Sequence, residues 1–225
     1  MRAMFKNYLK IAWRNLLKNK GYSIINIGGL ALGMAVTLVI GLWVKDELSR
    51  DNYYVNKDSI AQVFQSQTFN GNTGTGPAIP LPLEPALRND YGDNFKEIMM
   101  CSWTQSSYVK YGEKSISKTG NFMQPNAPDL LNLEILSGSK KGLEEINSIM
   151  ISKTTADAFF GNEDPIGKVL KISNQHDLMV TAVYKDIPYG NTFHDTHYII
   201  PWEHYVANQE WIQNSLDNWQ NNSFQ

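Results

Sequence analysis

Residues Tyr22 to Val44, YSIINIGGLALGMAVTLVIGLWV, contain no charged side chain. At about 1.5 Å of rise per residue they make a helix of roughly 35 Å, enough to cross a hydrocarbon core of about 30 Å with some tilt. Asn26 is the one strongly polar side chain in the stretch. Its flanks orient it. Arg2, Lys6, Lys10, Arg14, Lys18 and Lys20 precede it with no acidic residue, whereas Lys45, Asp46, Glu47, Arg50 and Asp51 come after it and nearly cancel. Lysine and arginine are retained on the cytoplasmic side, which predicts residues 1–21 inside, 22–44 in the membrane and 45–225 outside. A cleaved signal peptide would carry an apolar region of about 7–15 residues ending in a small-x-small site. Leu42-Trp43-Val44-Lys45 is instead a bulky interfacial anchor, so the segment reads as a retained span.

The formal net charge of −2 hides an asymmetry, because the first 21 residues hold +6 and leave −8 for the rest. A basic segment suits the anionic inner face of a membrane. An acidic outer region excludes nucleic acid as a partner, since that needs a basic footprint. About 180 residues remain beyond the span, enough for one sizeable domain or two small lobes. Cys101 is the single cysteine. No internal disulfide can form, and an exported domain of this kind must be held by its hydrophobic core.

Residues 4–20 have helical periodicity. Phe5, Leu9, Trp13 and Leu17 recur every four residues, with Lys6, Lys10, Arg14 and Lys18 beside them. The pattern predicts a basic amphipathic helix lying in the headgroup region, with Phe5, Leu9, Trp13 and Leu17 seated in the interface and Lys6, Lys10 and Arg14 at the headgroups. Gly21 is expected to end it. Within the span, Gly29, Gly33, Thr37 and Gly41 share one face at four-residue spacing. Such a small-residue stripe lets another helix approach closely, so companion helices are expected.

Beyond the membrane the reading is α+β, with two lobes of mixed strands and helices that are incomplete at the C-terminus. Strands are expected at Ile60–Phe69, Ile98–Tyr111, Lys114–Met123, Lys168–Ile172, Leu178–Tyr184 and Phe193–Ile200. Short helices are expected at Leu83–Tyr91, within Pro125–Leu136, and at Lys153–Phe160, the last capped by Ser152 and stopped by Gly161. Asn70–Pro80 and Ser137–Gly142 read as loops, and Asp164–Gly167 and Pro188–Asn191 as turns. The last 20 residues show no closing element.

Two long motifs carry a family resemblance. MFKNYLKIAWRNLLKNKGYSIINIGGLALGMA resembles the amino-terminal signature of MacB/FtsX-type ABC-transporter permeases. ISKTTADAFFGNEDPIGKVLKI, then VTAVYKDIPYGNTFHDTHYII, resembles their MacB-like periplasmic core domain. The resemblance implies a permease subunit of the bacterial inner membrane that works by mechanotransmission. ATP hydrolysis by a cytoplasmic ABC ATPase would move the outer domains of paired permeases and drive export or release of peptides, antibiotics or lipoproteins. The implied partners are that ATPase, a second permease copy, the lipid membrane and a periplasmic protein; no cofactor is implied. The later spans of the family are missing here, so the chain reads as the amino-terminal part of a longer permease. A membrane-tethered sensor or ligand-binding module is the competing reading. The continuation of the reading frame past Gln225 separates it from transport.

Enzymatic chemistry finds little support. Gly161–Lys168 mimics a phosphate loop but has five residues between its glycines, Val169 where a hydroxyl belongs, and Pro165 without an N–H. His194, His197 and His204 offer zinc-ligand types, yet on the expected strand positions 194 and 197 point to opposite faces. Asp157, Glu163 and Asp164 read as helix and turn residues on a solvated surface, and no Gly-x-Ser-x-Gly elbow occurs. Trp202, Tyr205, Trp211 and Trp219 read as core rather than as a binding platform.

Overall fold

No proline occurs before Pro77, and the first fifty residues are almost wholly helical. The computed structural model describes residues 2–225, in two units, Met1–Arg50 and Asp51–Gln225. In the first, α1 spans Arg2–Lys18 and α2 spans Lys20–Leu48. The break lies at Asn19 (φ −112°, ψ 56°) and not at Gly21, which sits inside the first turn of α2. Asparagine tolerates such non-helical geometry because its side chain competes for local backbone groups. The 29 residues of α2 rise about 43 Å and so extend past the uncharged stretch at both ends. Ser49 closes the helix, its N–H on the Lys45 carbonyl (3.1 Å) and its hydroxyl on that of Asp46 (2.9 Å).

The second unit is built from eleven strands and five helices among the described residues. β1 (Gln65–Phe69) and β2 (Asn72–Gly76) form a separate hairpin. It turns on Asn70 and Gly71, both at positive φ, as a two-residue type I′ turn requires. β3 (Ile79–Pro80) and α3 (Leu83–Tyr91) come next. The chain then forms β4 (Gln105–Tyr111), β5 (Lys114–Met123), α4 (Ala127–Leu130), β6 (Ile135–Gly138), β7 (Ser148–Ser152), α5 (Lys153–Phe160), β8 (Val169–Ile172) and β9 (His176–Tyr184). It ends with β10 (Tyr198–Pro201), α6 (Trp202–Asn208), α7 (Glu210–Gln213) and β11 (Asn222–Phe224). The expected mixed α/β class holds.

Six strands close on themselves. Their order is β9-β7-β10-β5-β4-β8, and β8 pairs antiparallel with the first half of β9, while β6 adds to its second half. The pairs β5–β10 and β7–β9 are parallel and the others antiparallel. Closure removes the open edges that a flat sheet would expose. A barrel this narrow is filled by side chains. Val109, Ile149, Ile151, Leu170, Ile172, Leu178, Val180, Tyr198 and Ile200 fill it, and Phe159 and Phe160 of α5 pack against them.

Alternation sends the intervening residues outward: Met150, Ala182, Tyr184 and Ile199 join Leu131, Leu133, Leu143 and Tyr54 in a second cluster. Strands β7 and β10 are therefore buried on both faces. In β9 the parity changes at Thr181, left unpaired where the register shifts between Ile149↔Val180 and Met150↔Ala182. A one-residue bulge of this kind bends the strand and resets which face its side chains occupy. Burial of each such aliphatic side chain contributes about 2 kcal/mol, the stabilisation that a domain with one cysteine and no disulfide needs.

Several expected boundaries are corrected. Residues 60–64 have no partner strand, so only 65–69 of the first expected strand forms. Residues 98–104 pair irregularly, through the Cys101↔Met123 bridge and Ser102 N–H on the Phe122 carbonyl (2.9 Å), before β4 begins. Ser137 and Gly138 belong to β6, not to a loop. Residues 193–197 are not strand: Phe193 sits at φ +64°, and side-chain bonds replace the ladder there. The C-terminal residues are also tied in. β11 pairs antiparallel with β3, Phe224 is buried, and Gln225 exchanges both backbone hydrogen bonds with Cys101 (2.8 and 3.1 Å).

Gly120 lies where β5 meets both β4 and β10. A Cβ there would run into the ring and the carbonyl oxygen of Tyr198. Gly120→Ala is expected to destabilise the barrel by about 1–3 kcal/mol through this overpacking. Urea unfolding of the full chain measures it; an unchanged midpoint would contradict the β5–β10 pairing.

Candidate functional site

Helix α1 carries its predicted interfacial residues in exposed positions. Phe5, Leu9, Trp13 and Leu17 are all more than half exposed, and Lys6, Lys10 and Arg14 are exposed beside them. At 100° per residue, Leu16 falls between Phe5 and Leu9, and Tyr8 and Met4 extend the apolar arc by about 60° and 100° beyond Phe5. The apolar face is thus wider than a single four-residue stripe. The doublets Met4-Phe5, Tyr8-Leu9, Ala12-Trp13 and Leu16-Leu17 are the signal that a search for one stripe overlooks.

On α2, a Cβ added at Gly29, Gly33 or Gly41 would meet nothing within 4 Å. Thr37 donates its hydroxyl to the Gly33 carbonyl at 2.9 Å. Its polar group is satisfied within the helix, so the stripe offers closeness of approach rather than a hydrogen bond. Four-residue spacing drifts about 40° per step, giving an oblique row suited to a crossing neighbour rather than a parallel one. Of the described helices, α2 alone is long and apolar enough to cross a membrane.

In the outer unit, the phosphate-loop mimic is a helix stop and then a turn. Gly161 stands at φ +61° and donates to Asp157 O (3.1 Å); Ile166 N–H is held by Asp164 Oδ1 (3.0 Å), and Gly167 N–H by Val180 O (2.8 Å). Ser152 caps α5, accepting from Thr155 N–H at 3.3 Å. Asp157 pairs with Lys153, and Glu163 lies 3.7 Å from Lys168, all on the surface. Trp202 and Tyr205 are buried with Met100, Ile212 and Phe224, whereas Trp211 and Trp219 stay 43% and 51% exposed. The cleft beside this cluster, lined by Leu81, Glu84, Pro85, Met100, Gln124, Trp202 and Leu216, holds about 170 Å³. That is below the roughly 300 Å³ at which organic-ligand pockets begin.

The three histidines do not share a strand. His194 and His197 lie in the loop between β9 and β10, and His204 lies in α6. His194 Nδ1 is 3.1 Å from the Asn191 carbonyl. His204 is only 4% exposed, meets the His176 ring edge-on at 4.8 Å, and has no hydrogen-bond partner on either nitrogen. Among the described residues no group of three or more His, Cys, Asp or Glu could hold a metal ion. The Cys101 thiol is buried and its pKa is pushed up to about 12 by desolvation, which keeps it protonated and unreactive.

One constellation has no sequence signal at all. Asp51, at φ +56°, accepts from Thr192 N–H (2.5 Å) and Thr192 Oγ1 (3.1 Å) with its two carboxylate oxygens, and its own N–H reaches Gly190 O (3.4 Å). Tyr53 N–H donates to Asn191 Oδ1 (3.1 Å), and the Tyr54 hydroxyl donates to the Thr192 carbonyl. Burial, with the Asp51 carboxylate adding to it, raises the Tyr54 hydroxyl pKa and keeps it a donor. The partners stand about 138 residues apart in the chain, beyond any spacing rule.

An apolar helix of membrane-spanning length joined to a mixed, sheet-rich domain defines the class of anchored extracytoplasmic domains. The family model described as MacB-like periplasmic core domain matches residues 23–222, and the chain belongs to that family, the outer part of MacB-like ABC-transporter permeases. A domain assigned to a permease protein from Porphyromonas gingivalis shares the fold, with 18% identity, a TM-score of 0.54 and 67% of each chain covered. The extracellular domain of the noncanonical ABC-type transporter YknZ from Gram-positive bacteria is 21% identical over 59% of this chain and 68% of that one, with a TM-score of 0.47. The periplasmic region of MacB from Actinobacillus actinomycetemcomitans is 15% identical over 58% of this chain and 59% of that one, with a TM-score of 0.46. Among curated proteins none matches the chain.

Burial first, and His176 beside it second, lower the pKa of His204; burial and then Lys118 lower that of His197. Both therefore take up a proton less readily in the folded domain than in the unfolded chain, where the ordinary value is near 6.5. The unfolded chain binds more protons below that value, so stability is full above it and falls as pH drops through it. The urea midpoint of the full chain is expected to decrease between pH 7.5 and 5, and His204→Phe is expected to flatten part of that slope. An unaltered slope in the variant would show that His204 is not the group responsible.

Proposed function

We propose that this chain is the transmembrane subunit, or the amino-terminal part of it, of an ABC transporter working by mechanotransmission. Residues 1–21 lie at the cytoplasmic face, 22–44 cross the plasma membrane, and 45–225 stand outside. In this reading Phe5, Leu9, Trp13 and Leu17 seat α1 in the interface, with Lys6, Lys10 and Arg14 at anionic headgroups. Gly29, Gly33, Thr37 and Gly41 form the face on which companion spans pack. A cytoplasmic ATPase supplies the energy, a second permease copy completes the pair, and the outer domain moves substrate such as peptides, antibiotics or lipoproteins, with or without a periplasmic partner. The chain itself performs no catalysis.

The observation that carries this reading is the uncharged stretch 22–44 within α2, with six cationic residues before that stretch and none acidic, joined to a domain of the MacB-like family. The test is expression of the complete gene in its native host, where a permease is expected to co-purify with an ATPase. A product with one span and no ATPase partner contradicts the proposal. Gly33→Leu is expected to reduce cross-linking between companion helices in membranes about tenfold, because a bulky side chain holds the backbones apart. Unchanged cross-linking would remove the packing role from that face.

A further inference from the structure

We infer that the contact of residues 51–54 with the turn Pro188–Thr192 is a mechanical anchor, the point at which load on the chain leaving α2 enters the barrel. The inference concerns how the outer domain takes up load, and it stands or falls independently of the transport reading.

Three features point to it. The entry is short: only Ser49 and Arg50 separate the last residue of α2, Leu48, from Asp51. The chain beyond the contact is slack. Residues 60–64 have no regular structure, and β1 and β2 pair with each other and with no other strand. The next attachment to another sheet strand is β3, at Ile79. Without the contact, a pull on Arg50 would first draw out residues 51–78.

The receiving loop, by contrast, is taut. Thr196 Oγ1 donates to Asn121 Oδ1 of β5 (2.6 Å), and Thr119 Oγ1 of β5 donates to the Asp195 carbonyl (2.5 Å). The Tyr184 hydroxyl of β9 donates to the Thr196 carbonyl (2.8 Å), and His197 N–H to the Thr119 carbonyl (2.9 Å). Asn121 is fully buried and also holds Ser102 O (2.9 Å). Load arriving at Thr192 thus passes within a few residues to two barrel strands. Asp51 is the positioning residue, because both of its carboxylate oxygens are engaged and hydrogen bonds to a charged acceptor are about twice as strong as neutral ones.

Single-molecule pulling on the full chain in lipid nanodiscs tests this. Handles are attached at Arg50→Cys and at Glu113→Cys, the latter in the exposed turn between β4 and β5; the buried Cys101 thiol does not compete for them. The otherwise unmodified chain is expected to show a discrete rupture before the barrel unfolds, releasing at most about 100 Å of chain for the roughly 28 residues 51–78. Asp51→Ala is expected to lower that rupture force about twofold or to abolish it, leaving the later barrel event unchanged, and Asp51→Asn is expected to fall between. Should Asp51→Ala not fold, Thr192→Val, which removes only the hydroxyl bond, is expected to weaken the rupture. Absence of an early rupture in the parent chain, or one of equal force in the variants that fold, overturns the inference.

Discussion

A helix whose apolar side chains have nothing to bury against dictates the rest of this molecule. Leu30, Leu32, Leu38, Ile40, Leu42 and Trp43 are all exposed on α2. Leaving such side chains in water costs about 1.5–3 kcal/mol each, so a continuous apolar cylinder is stable only in lipid or against other helices. Both outcomes suit its chemistry, since the small-residue row leaves one side open to close approach and the leucines cover the others. The preceding helix obeys the same constraint. Its broad apolar face and unopposed cations suit the proposed place at a lipid surface.

Outside, the constraint is different. A domain with one cysteine and no disulfide must hold itself by packing, and a closed circuit of six strands achieves this with little material. Strand β9 is the shared element, paired along one side with β7 and along the other with β8 and then β6. The bulge at Thr181 lets it serve the interior with Leu178, Val180 and Val183 while giving Ala182 and Tyr184 to the outer cluster. The burial of β7 and β10 on both faces is the consequence of that arrangement.

Much of the local structure is legible in the residues. Leu83–Tyr91 and Lys153–Phe160 are helical over the expected ranges because prolines stand near the start of the first, and a serine cap and a stopping glycine bound the second. The Asp164–Gly167 turn carries its own Asx bond. The family resemblance is legible too, in two motifs in the right order. The elements that local pattern does not reveal have identifiable causes. SIMIS in β7 is buried on both faces, so it shows no alternation to separate it from a loop or a helix. Asn70-Gly71, a strong hairpin signal, is submerged in a glycine- and threonine-rich stretch that reads as loop. The histidines at 194 and 197 fall on an expected strand that begins only at Tyr198, because side-chain bonds to Asn121 and Tyr184 hold the loop open. The pairing of β11 with β3, the closure of β8 on β9, and the contact of Asp51 with Thr192 join residues whose partnership no local spacing encodes. The roles given to the interfacial and small-residue positions rest on chemistry alone, since a helix exposed along its length looks the same whichever face a partner takes.

Membership of the MacB-like periplasmic core domain family makes topology the central claim. Protease added to intact spheroplasts expressing the chain measures that most directly. The account predicts that residues beyond Arg50 are accessible and are digested once the medium is made mildly denaturing, while the segment from α1 through α2 survives as a membrane-bound fragment. An outer unit that stays protected until the membrane is ruptured, or a mature polypeptide beginning after Val44, would contradict it.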